Sequence, residues 1–345
     1  MWKKSTGKWL LSIVLIMGLV LSGCGEPTVT DEPEPPQEIR EDWPGSVTLG
    51  TALAGGVYFF YGSGVGSLID EVVGIPVYIE QTGGPADNMR LVSEGILELG
   101  MVTMGIAYQG WHGQEDTAFE GEEQDQVRAM FPMYSTYSHW WAHKDDGISS
   151  IQDLDGKRIG VGPTGGTPGT YHPLILEALE INANPVWGSL SDLVESHLGE
   201  QIEANSFAAG IPISGLLSYE ASVGSGNVEM LPIEGEERET IVDKFPYWEA
   251  ATIPEESYGF LEEDLETISV FNWAICNKEL PDDLVYQIVD TVMTQHDQMM
   301  DFHDCAEETI PENVDTNEFL PLHPGAAKWF EDNGYDIPSG AEPID

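Results

Sequence analysis

Short apolar runs of strand length alternate with amphipathic stretches in the first third of the folded chain. Strands are predicted at residues 46–51, 76–80 and 99–103, and glycines and a helix follow each of the first two. The helical faces carry Tyr61, Val65, Leu68, Ile69 and Val72 in the first helix, and Met89, Val92 and Ile96 in the second. This repeated order of strand, glycine turn and helix predicts βαβ units on a mostly parallel sheet.

The same order resumes after an acidic loop at residues 115–126. Further strands are predicted at 138–142, 157–161 and 228–231, and further helices at 171–181, 191–198 and 213–221. A last long helix is predicted over 282–300, since apolar positions repeat there at helical spacing: Val285, Ile288, Val292, Gln295 and Met299. The chain is therefore predicted to form two α/β lobes.

The amino terminus has the layout of a bacterial lipoprotein signal. Lysines precede a mostly apolar run of about 13 residues, which is shorter than the roughly 20 that a membrane-spanning helix needs. Because Leu-Ser-Gly stands before Cys24, we predict a signal peptide over 1–23, acylation of Cys24 and anchoring to the outer face of the cell membrane. Residues 24–44 are rich in proline and glutamate and predict an acidic, extended tether.

Charge is the most unusual feature of the composition. The chain has 13 lysines and arginines against 60 acidic residues, a net charge of −47, and 41% hydrophobic residues. Without residues 1–23 it has 10 basic residues and a net charge of −50. We expect repulsion to exclude nucleic acid as a partner. The charge favours the solvated surface of a halophile or alkaliphile over a cation-binding function, because molar salt screens self-repulsion.

Two cysteines, Cys276 and Cys305, remain besides Cys24. An oxidising compartment permits a disulfide between them, but we favour two buried thiols, because Cys276 ends an apolar run and Cys305 follows an amphipathic helix.

Glycine turns at Gly55, Gly84 and Gly165 are candidate anion sites. Each places a helix amino terminus at the carboxyl edge of a sheet, where free amides and the helix dipole favour negative charge. The alternative is that these glycines only make tight turns between strand and helix. Tyr58, Tyr134 and Trp140 are expected to wall the pocket, although aromatic residues next to strands are more often core.

Other chemistry is weakly indicated. The segment Gly160–Gly165 satisfies G-x-G-x-x-G, but an export signal argues against a dinucleotide site, and a ligand carboxylate is the better interpretation. His139 and His143 lie about 13 Å apart on a predicted strand, too far to share an ion. His296 and His303 are expected to be solvated or packed. We predict no metal, no cofactor and no catalysis.

Several motifs occur in order along nearly the whole folded chain. They are Gly55-Gly56-Val57-Tyr58-Phe59, Thr82-Gly83-Gly84-Pro85-Ala86-Asp87-Asn88, Glu94 to Gly100, Asp153 to Gly162, Phe245-Pro246-Tyr247, Ala251 to Pro254, Leu284-Val285-Tyr286 and Pro321 to Ala327. With these motifs the chain resembles the TAXI subfamily of TRAP transporter solute-binding proteins.

The resemblance implies a type II-like periplasmic-binding-protein fold, the Venus-flytrap, with a ligand cleft between two lobes. Lobe 1 would comprise 45–138 and 252–345, and lobe 2 would comprise 139–251. The implied function is capture of a small carboxylate, glutamate-like or other, by a monomer that serves a sodium-coupled TRAP permease. A lipid-anchored ligand sensor is the alternative, and an exported hydrolase is a more distant one.

The predicted ligand-binding residues follow from the glycine turns and from the resemblance. They are Gly55, Gly56, Val57, Tyr58, Thr82, Gly83, Gly84, Asn88, Thr103, Tyr134, Trp140, Thr164, Gly165, Gly166, Thr167, Gly210 and Pro212. The chain has Thr103-Met104-Gly105 where the family usually carries Gln-Ser-Asp, which implies a ligand less polar than glutamate or one held by backbone. No arginine lies on a predicted ligand turn, so an arginine clamp is not expected.

Overall fold

A computed structural model describes residues 40, 42–245 and 247–344. The predicted signal peptide, Cys24 and the tether up to residue 39 lie outside the described residues. Within the described ranges, no helix combines the length and the apolar character that a membrane span requires. The strands of the described residues form one ten-stranded sheet.

The first group of elements, here called the amino-terminal side, consists of β1 (Val47–Gly50), α1 (Val57–Val72), β2 (Val77–Glu80), α2 (Pro85–Ser93), β3 (Leu99–Thr103) and α3 (Met104–Trp111). The strand β1 lies between β2 and β3 and is parallel to both, with Leu49 opposite Ile79 and Leu99. The three predicted strands and two predicted helices are confirmed, with small shifts at their ends.

Two predicted helical core positions on this side are wrong. Val72 is 40% exposed and Ile96 is 59% exposed, whereas their neighbours Val73 and Leu97 are buried. The helix α2 ends at Ser93, and Gly95 adopts a φ of 70°, a left-handed conformation that ends helices. The chain therefore leaves the helical path before Ile96, and Leu97 takes the buried position.

The second group, here called the central side, consists of β5 (Arg158–Gly160), α4 (Thr167–Ala178), β6 (Asn184–Val186), α5 (Leu190–Leu198), β7 (Ala204–Ala209), α6 (Ser214–Val223), β8 (Val228–Met230) and α7 (Gly235–Lys244). Here β5 is parallel to both β6 and β7. The predicted helices are confirmed within a few residues, and α4 begins four residues before its predicted start, at Thr167. The strand β7 was not predicted.

Antiparallel strands connect the two sides: β4 (Val127–His143), β9 (Glu249–Ile253) and β10 (Leu265–Asn277). The order of neighbours in the sheet is β2-β1-β3-β10-β4-β7-β5-β6, with β8 paired to β4 and β9 paired to β10. The strand β4 pairs with β10 up to Tyr137 and with β7 from Tyr137 onward. The predicted strand at 138–142 is thus the end of a 17-residue strand. Its change of partner lies next to the predicted lobe boundary at residue 138, and the lobe ranges stay a prediction.

The carboxyl-terminal part contains α8 (Asp282–Thr294), α9 (His296–Phe302) and α10 (Pro324–Asp332). The prediction of one helix over 282–300 is wrong, because Gln295 leaves the helical conformation with φ −102° and ψ 39°. Val292 and Met299 are buried on both sides of the break, so the apolar spacing does not show it. After the break, the ring of Phe302 fills the space that the missing side chain of Gly64 leaves on α1.

Cys276 and Cys305 are free, buried thiols, as predicted. Burial raises the pKa of each thiol well above its ordinary value, so neither is a reactive thiolate at neutral pH.

Candidate ligand-binding site

A cavity of about 60 Å³ lies where the amino-terminal side meets the central side. The amino-terminal side contributes ten lining residues: Ala52, Leu53, Ala54, Gly56, Val57, Tyr58, Gly83, Gly84, Pro85 and Thr103. The central side contributes nine: Pro163, Gly166, Thr167, Pro168, Ser189, Leu190, Phe207, Ala208 and Ala209. Thr136 of the connecting strand β4 completes the lining.

Helix amino termini surround the cavity. The residues that precede α1, α2, α3 and α4 are Gly56, Gly84, Thr103 and Gly166; all four line the cavity, and none has a side chain that caps its helix. The fifth helix, α5, differs because Ser189 accepts a hydrogen bond from the Asp192 amide. Amides in the first turn of a helix have no acceptor within the helix, so uncapped termini present donors and positive potential to the cavity.

The four uncapped termini are not equivalent. The first turn of α1 contains neither an acidic residue nor a proline, so its amides and its dipole are unopposed. In contrast, α2 begins with Pro85, carries Asp87 in its first turn and donates the Ala86 amide to the Gly165 carbonyl over 3.1 Å. The second residue of α4 is Pro168, which removes one donor. The first turn of α3 also contains neither an acidic residue nor a proline, but only its N-cap residue, Thr103, lines the cavity, whereas Val57 and Tyr58 of α1 both line it. The amino terminus of α1 is therefore the strongest candidate for contact with an anion.

No side chain that lines the cavity is ionisable at neutral pH. Arginines pair elsewhere: Arg90 with Asp87 at 3.7 Å, Arg158 with Glu203 at 2.6 Å and Arg238 with Glu266 at 3.4 Å. The guanidinium of Arg128 donates to the Asp125 carbonyl, and its pKa is lowered by burial. The expected absence of an arginine at the ligand turns therefore holds for the lining of this cavity.

The hydroxyl groups that line the cavity already have partners within the protein. The hydroxyls of Thr103 and Thr167 join the two sides at 3.0 Å. The Tyr58 hydroxyl donates to Asn272 Oδ1 over 2.7 Å, and Asn272 Nδ2 donates to the Thr136 hydroxyl over 2.7 Å. Burial raises the pKa of the Tyr58 phenol, so this group stays protonated and neutral.

Eight of the predicted ligand-binding residues line the cavity: Gly56, Val57, Tyr58, Gly83, Gly84, Thr103, Gly166 and Thr167. Thr82 and Asn88 lie behind them, where the Asn88 side-chain amide donates to the carbonyls of Thr51 and Met101 and links the end of β1 to β3. Gly55, Thr164 and Gly165 belong to the same turns but do not line the cavity. Their role in ligand binding stays a prediction.

Two of the three aromatic residues that were predicted to wall the ligand pocket do not line the cavity. Trp140 is fully buried, packs against His172 with a distance of 4.5 Å between the ring centres and donates to the Ser138 hydroxyl, so it belongs to the core of the central side. Tyr134 packs against the rings of Tyr58 and Tyr61. Of the three aromatic residues, only Tyr58 walls the cavity.

Gly210 and Pro212 do not line the cavity either. Gly210 lies against the Tyr134 ring, and Pro212 borders a separate, acidic cavity together with Glu307 and Glu308.

Sequence reasoning missed most of the apolar wall. Phe207, Ala208 and Ala209 end β7, a parallel neighbour of β5, and carboxyl ends of parallel strands meet at one sheet edge. A prediction of β7 would have pointed to Phe207. Leu190 starts α5, whose boundary was predicted one residue later.

The unusual Thr103-Met104-Gly105 segment brings the two sides together. Thr103 lines the cavity, and Gly105 has no side chain, which leaves room for the Tyr171 hydroxyl of α4. That hydroxyl accepts a hydrogen bond from Gln109 Nε2 over 3.2 Å.

Three histidines outside the cavity, His139, His172 and His197, are buried and neutral. The pKa is lowered by burial to about 4 for His139 and His197, and to about 3 for His172. His139 bonds to the Tyr258 hydroxyl and His172 to the hydroxyls of Ser138 and Ser206. In the part of the chain that the structure describes, no three histidines, cysteines or acids are grouped to hold a metal ion.

Three solved structures are similar to this chain. MatC from Rhodopseudomonas palustris with bound malate matches with a TM-score of 0.52 and 12% identity, over 83% of this chain and 98% of that chain. An ancestral arginine-binding protein bound to arginine matches with a TM-score of 0.48 and 13% identity, over 75% of this chain and 97% of that chain. The GluR0 ligand-binding core from Nostoc punctiforme in complex with L-glutamate matches with a TM-score of 0.43 and 15% identity, over 75% of this chain and 97% of that chain.

The fold is that of the two-lobe periplasmic binding proteins, of the Venus-flytrap type, as predicted. The chain belongs to the NMT1-like family, whose model matches residues 49–334. Membership of the TAXI subfamily stays a prediction.

Proposed function

We propose that this protein is an extracytoplasmic solute-binding component of a membrane transporter, and that it captures a small organic anion in the cavity between its two sides. One observation carries the proposal: four uncapped helix termini meet at a single cavity whose lining has no ionisable side chain. Each terminus typically stabilises an anion by about 0.3 to 1 kcal/mol, and by more where it is partly buried.

Contacts between the two sides support capture by closure. The Ser214 hydroxyl donates to the Gly55 carbonyl over 2.8 Å, and the Ala86 amide donates to the Gly165 carbonyl over 3.1 Å. A ligand that contacts both sides at once adds to these bonds only in the closed form, so it stabilises that form by mass action.

The identity of the transporter is the second part of the proposal. The motifs that resemble TAXI proteins and the Leu-Ser-Gly-Cys24 sequence support a lipid-anchored subunit of a sodium-coupled TRAP transporter on the outer face of the membrane. Because the solved structure of MatC contains malate, dicarboxylates belong among the ligands to be tested.

A thermal-shift screen at 1 M NaCl tests the anion site. Amino acids, monocarboxylates and dicarboxylates are added separately to the purified mature protein, with the matching neutral amides as controls. We expect at least one carboxylate to raise the melting temperature while its amide does not. If the amides shift it equally, or if no carboxylate does, the anion site is wrong.

A further inference from the structure

The Thr136 hydroxyl has one partner within the protein, but its hydrogen is not used. Thr136 lies on β4, lines the cavity and is 2% exposed. Its oxygen accepts a hydrogen bond from Asn272 Nδ2 over 2.7 Å. A hydroxyl has one hydrogen to donate, and no acceptor for it lies among the residues that the structure describes. This hydrogen is therefore available to an oxygen of a ligand in the cavity.

The side chain of Asn272 fixes the orientation of the Thr136 hydroxyl. Asn272 is fully buried on β10, opposite Thr103 of β3, at a point where the pairing of β10 with β4 is irregular. Its Nδ2 group also donates to the Tyr134 carbonyl. Because a carbonyl oxygen only accepts hydrogen bonds, this contact places the amide nitrogen on the side of β4. The Thr136 oxygen must then accept from Asn272, and its hydrogen points away from that nitrogen.

The same amide group connects Thr136 to the amino terminus of α1. The Tyr58 hydroxyl, in the first turn of α1, donates to Asn272 Oδ1 over 2.7 Å. Tyr58 and Thr136 therefore bond to two atoms of one planar amide, and both residues line the cavity. The hydrogen of Tyr58 is used in this bond, whereas that of Thr136 is free. The Thr136 hydroxyl is thus the free side-chain donor next to the first turn of α1.

We propose that Thr136 is a ligand-binding residue and that Asn272, which does not line the cavity, is its positioning residue. The Thr136 hydroxyl donates to one oxygen of the ligand carboxylate, and the amides in the first turn of α1 face the same group. Asn272 orients this hydroxyl and, through Tyr58, holds α1 beside it. This inference rests on the proposed function and deepens it, since it names a side chain that favours a carboxylate over a neutral amide.

The substitution Thr136→Val removes the hydroxyl and keeps the shape of the side chain. A hydrogen bond to a charged acceptor is about twice as strong as one to a neutral acceptor. We expect the variant to bind the carboxylate about tenfold to 100-fold more weakly and the matching neutral amide only a few-fold more weakly, so its preference for the carboxylate falls. Thr136→Ser keeps the hydroxyl and should bind within about threefold of the native affinity.

The substitution Thr267→Val is the matched control. Thr267 is 1% exposed on β10, and its hydroxyl donates to the Ser138 carbonyl of β4 over 2.6 Å. It does not line the cavity. The control loses one buried hydrogen bond between the same two strands, so we expect a lower melting temperature with native affinity and native preference.

A double-mutant cycle tests the positioning role of Asn272. In Asn272→Leu the Thr136 hydroxyl is present but no longer oriented. We therefore expect weaker binding of the carboxylate, and a further loss of less than about threefold when Thr136→Val is added to this variant. Asn272→Ser is too short to bond to Thr136 and Tyr58 together, and it takes the place of Asn272→Leu if that variant does not fold.

Calorimetric titration at 1 M NaCl measures these affinities, with propionate, succinate, L-malate and L-glutamate and their amides as probes. Native affinity and preference in folded Thr136→Val, or an equal loss of affinity in Thr267→Val, would overturn the role of Thr136 and leave the proposed anion site standing. Independent losses in the double variant would overturn the positioning role of Asn272. If none of the four carboxylates binds the native protein, the inference and the proposed function are both wrong.

Discussion

A carboxylate at the N-cap of α1 is expected to stabilise the protein and abolish its ligand binding at the same time. Gly56 holds the N-cap position with φ −96° and ψ 172°, the extended conformation that capping aspartates adopt. A Cβ at this position would lie 3.5 Å from the Phe207 ring, an ordinary contact. The substitution Gly56→Asp therefore fits the existing backbone and places a negative charge where the ligand carboxylate is proposed to bind.

The two effects of Gly56→Asp differ in sign and in size. Capping and the helix dipole together should raise the free energy of unfolding by about 0.5 to 1 kcal/mol. Two unit negative charges about 4 Å apart repel by about 4 kcal/mol at an effective dielectric constant of 20. Screening by molar salt reduces this repulsion, and we expect a loss of affinity of at least about 100-fold, or roughly 3 kcal/mol.

Urea unfolding and calorimetric titration at 1 M NaCl measure the two effects on the same sample. The control Gly56→Ala adds the same Cβ without charge and should bind the native ligand within about threefold of the native affinity, since its change is only steric. Native affinity in folded Gly56→Asp would refute the placement of the anion at α1. Equal losses in both variants would attribute the effect to the Cβ and contradict the electrostatic argument.

Three further predictions concern closure, acid and salt. Gly84→Ala should hold the two sides apart, because Gly84 has a φ of 126° and the new Cβ would lie 3.0 Å from the carbonyl oxygen of Gly165. Small-angle scattering and ligand binding that are the same as for the native protein would contradict this prediction. The pKa values of His139, His172 and His197 lie below the ordinary 6.5, so the unfolded chain binds protons more readily. The contribution of these neutral histidines to the free energy of unfolding is complete above about pH 6.5 and falls as the pH drops towards 4 and 3. The loss is about 2 kcal/mol for each histidine at pH 5. Equal urea midpoints at pH 7.5 and pH 5 would refute this prediction. The melting temperature should be higher in 1 M NaCl than below about 0.1 M salt, because salt screens the net charge of −50. For the same reason the affinity for an anion should rise with salt. A melting temperature that does not depend on salt would rule out the charge argument.

The βαβ units were predictable because their signals are local. Strands of four or five residues, a glycine turn and an amphipathic helix follow each other within about 30 residues, as in the segment from β1 to β3. The helix termini at Gly56, Gly84 and Gly166 are set by the same turns, and eight of the twenty lining residues therefore followed from the sequence.

Four of the lining residues that were not predicted, Thr136, Phe207, Ala208 and Ala209, lie on strands that are buried on both faces. All six residues of β7 are buried, so its sequence shows no alternation of apolar and polar positions, and Phe207 gave no signal. In β4 nearly every residue is buried, and the sequence therefore does not reveal which face Trp140 occupies. Trp140 faces His172 in the core, which corrects its predicted place at the ligand.

Calorimetric titration of the native protein with a carboxylate and its neutral amide tests the central claim most directly. The carboxylate is the one with the largest thermal shift, and both titrations are done at 1 M NaCl. We predict one site per chain that binds the carboxylate at least tenfold tighter than the amide, because uncapped helix termini favour negative charge over a dipole of equal size. Equal affinities for the two ligands would contradict an anion site at the helix termini.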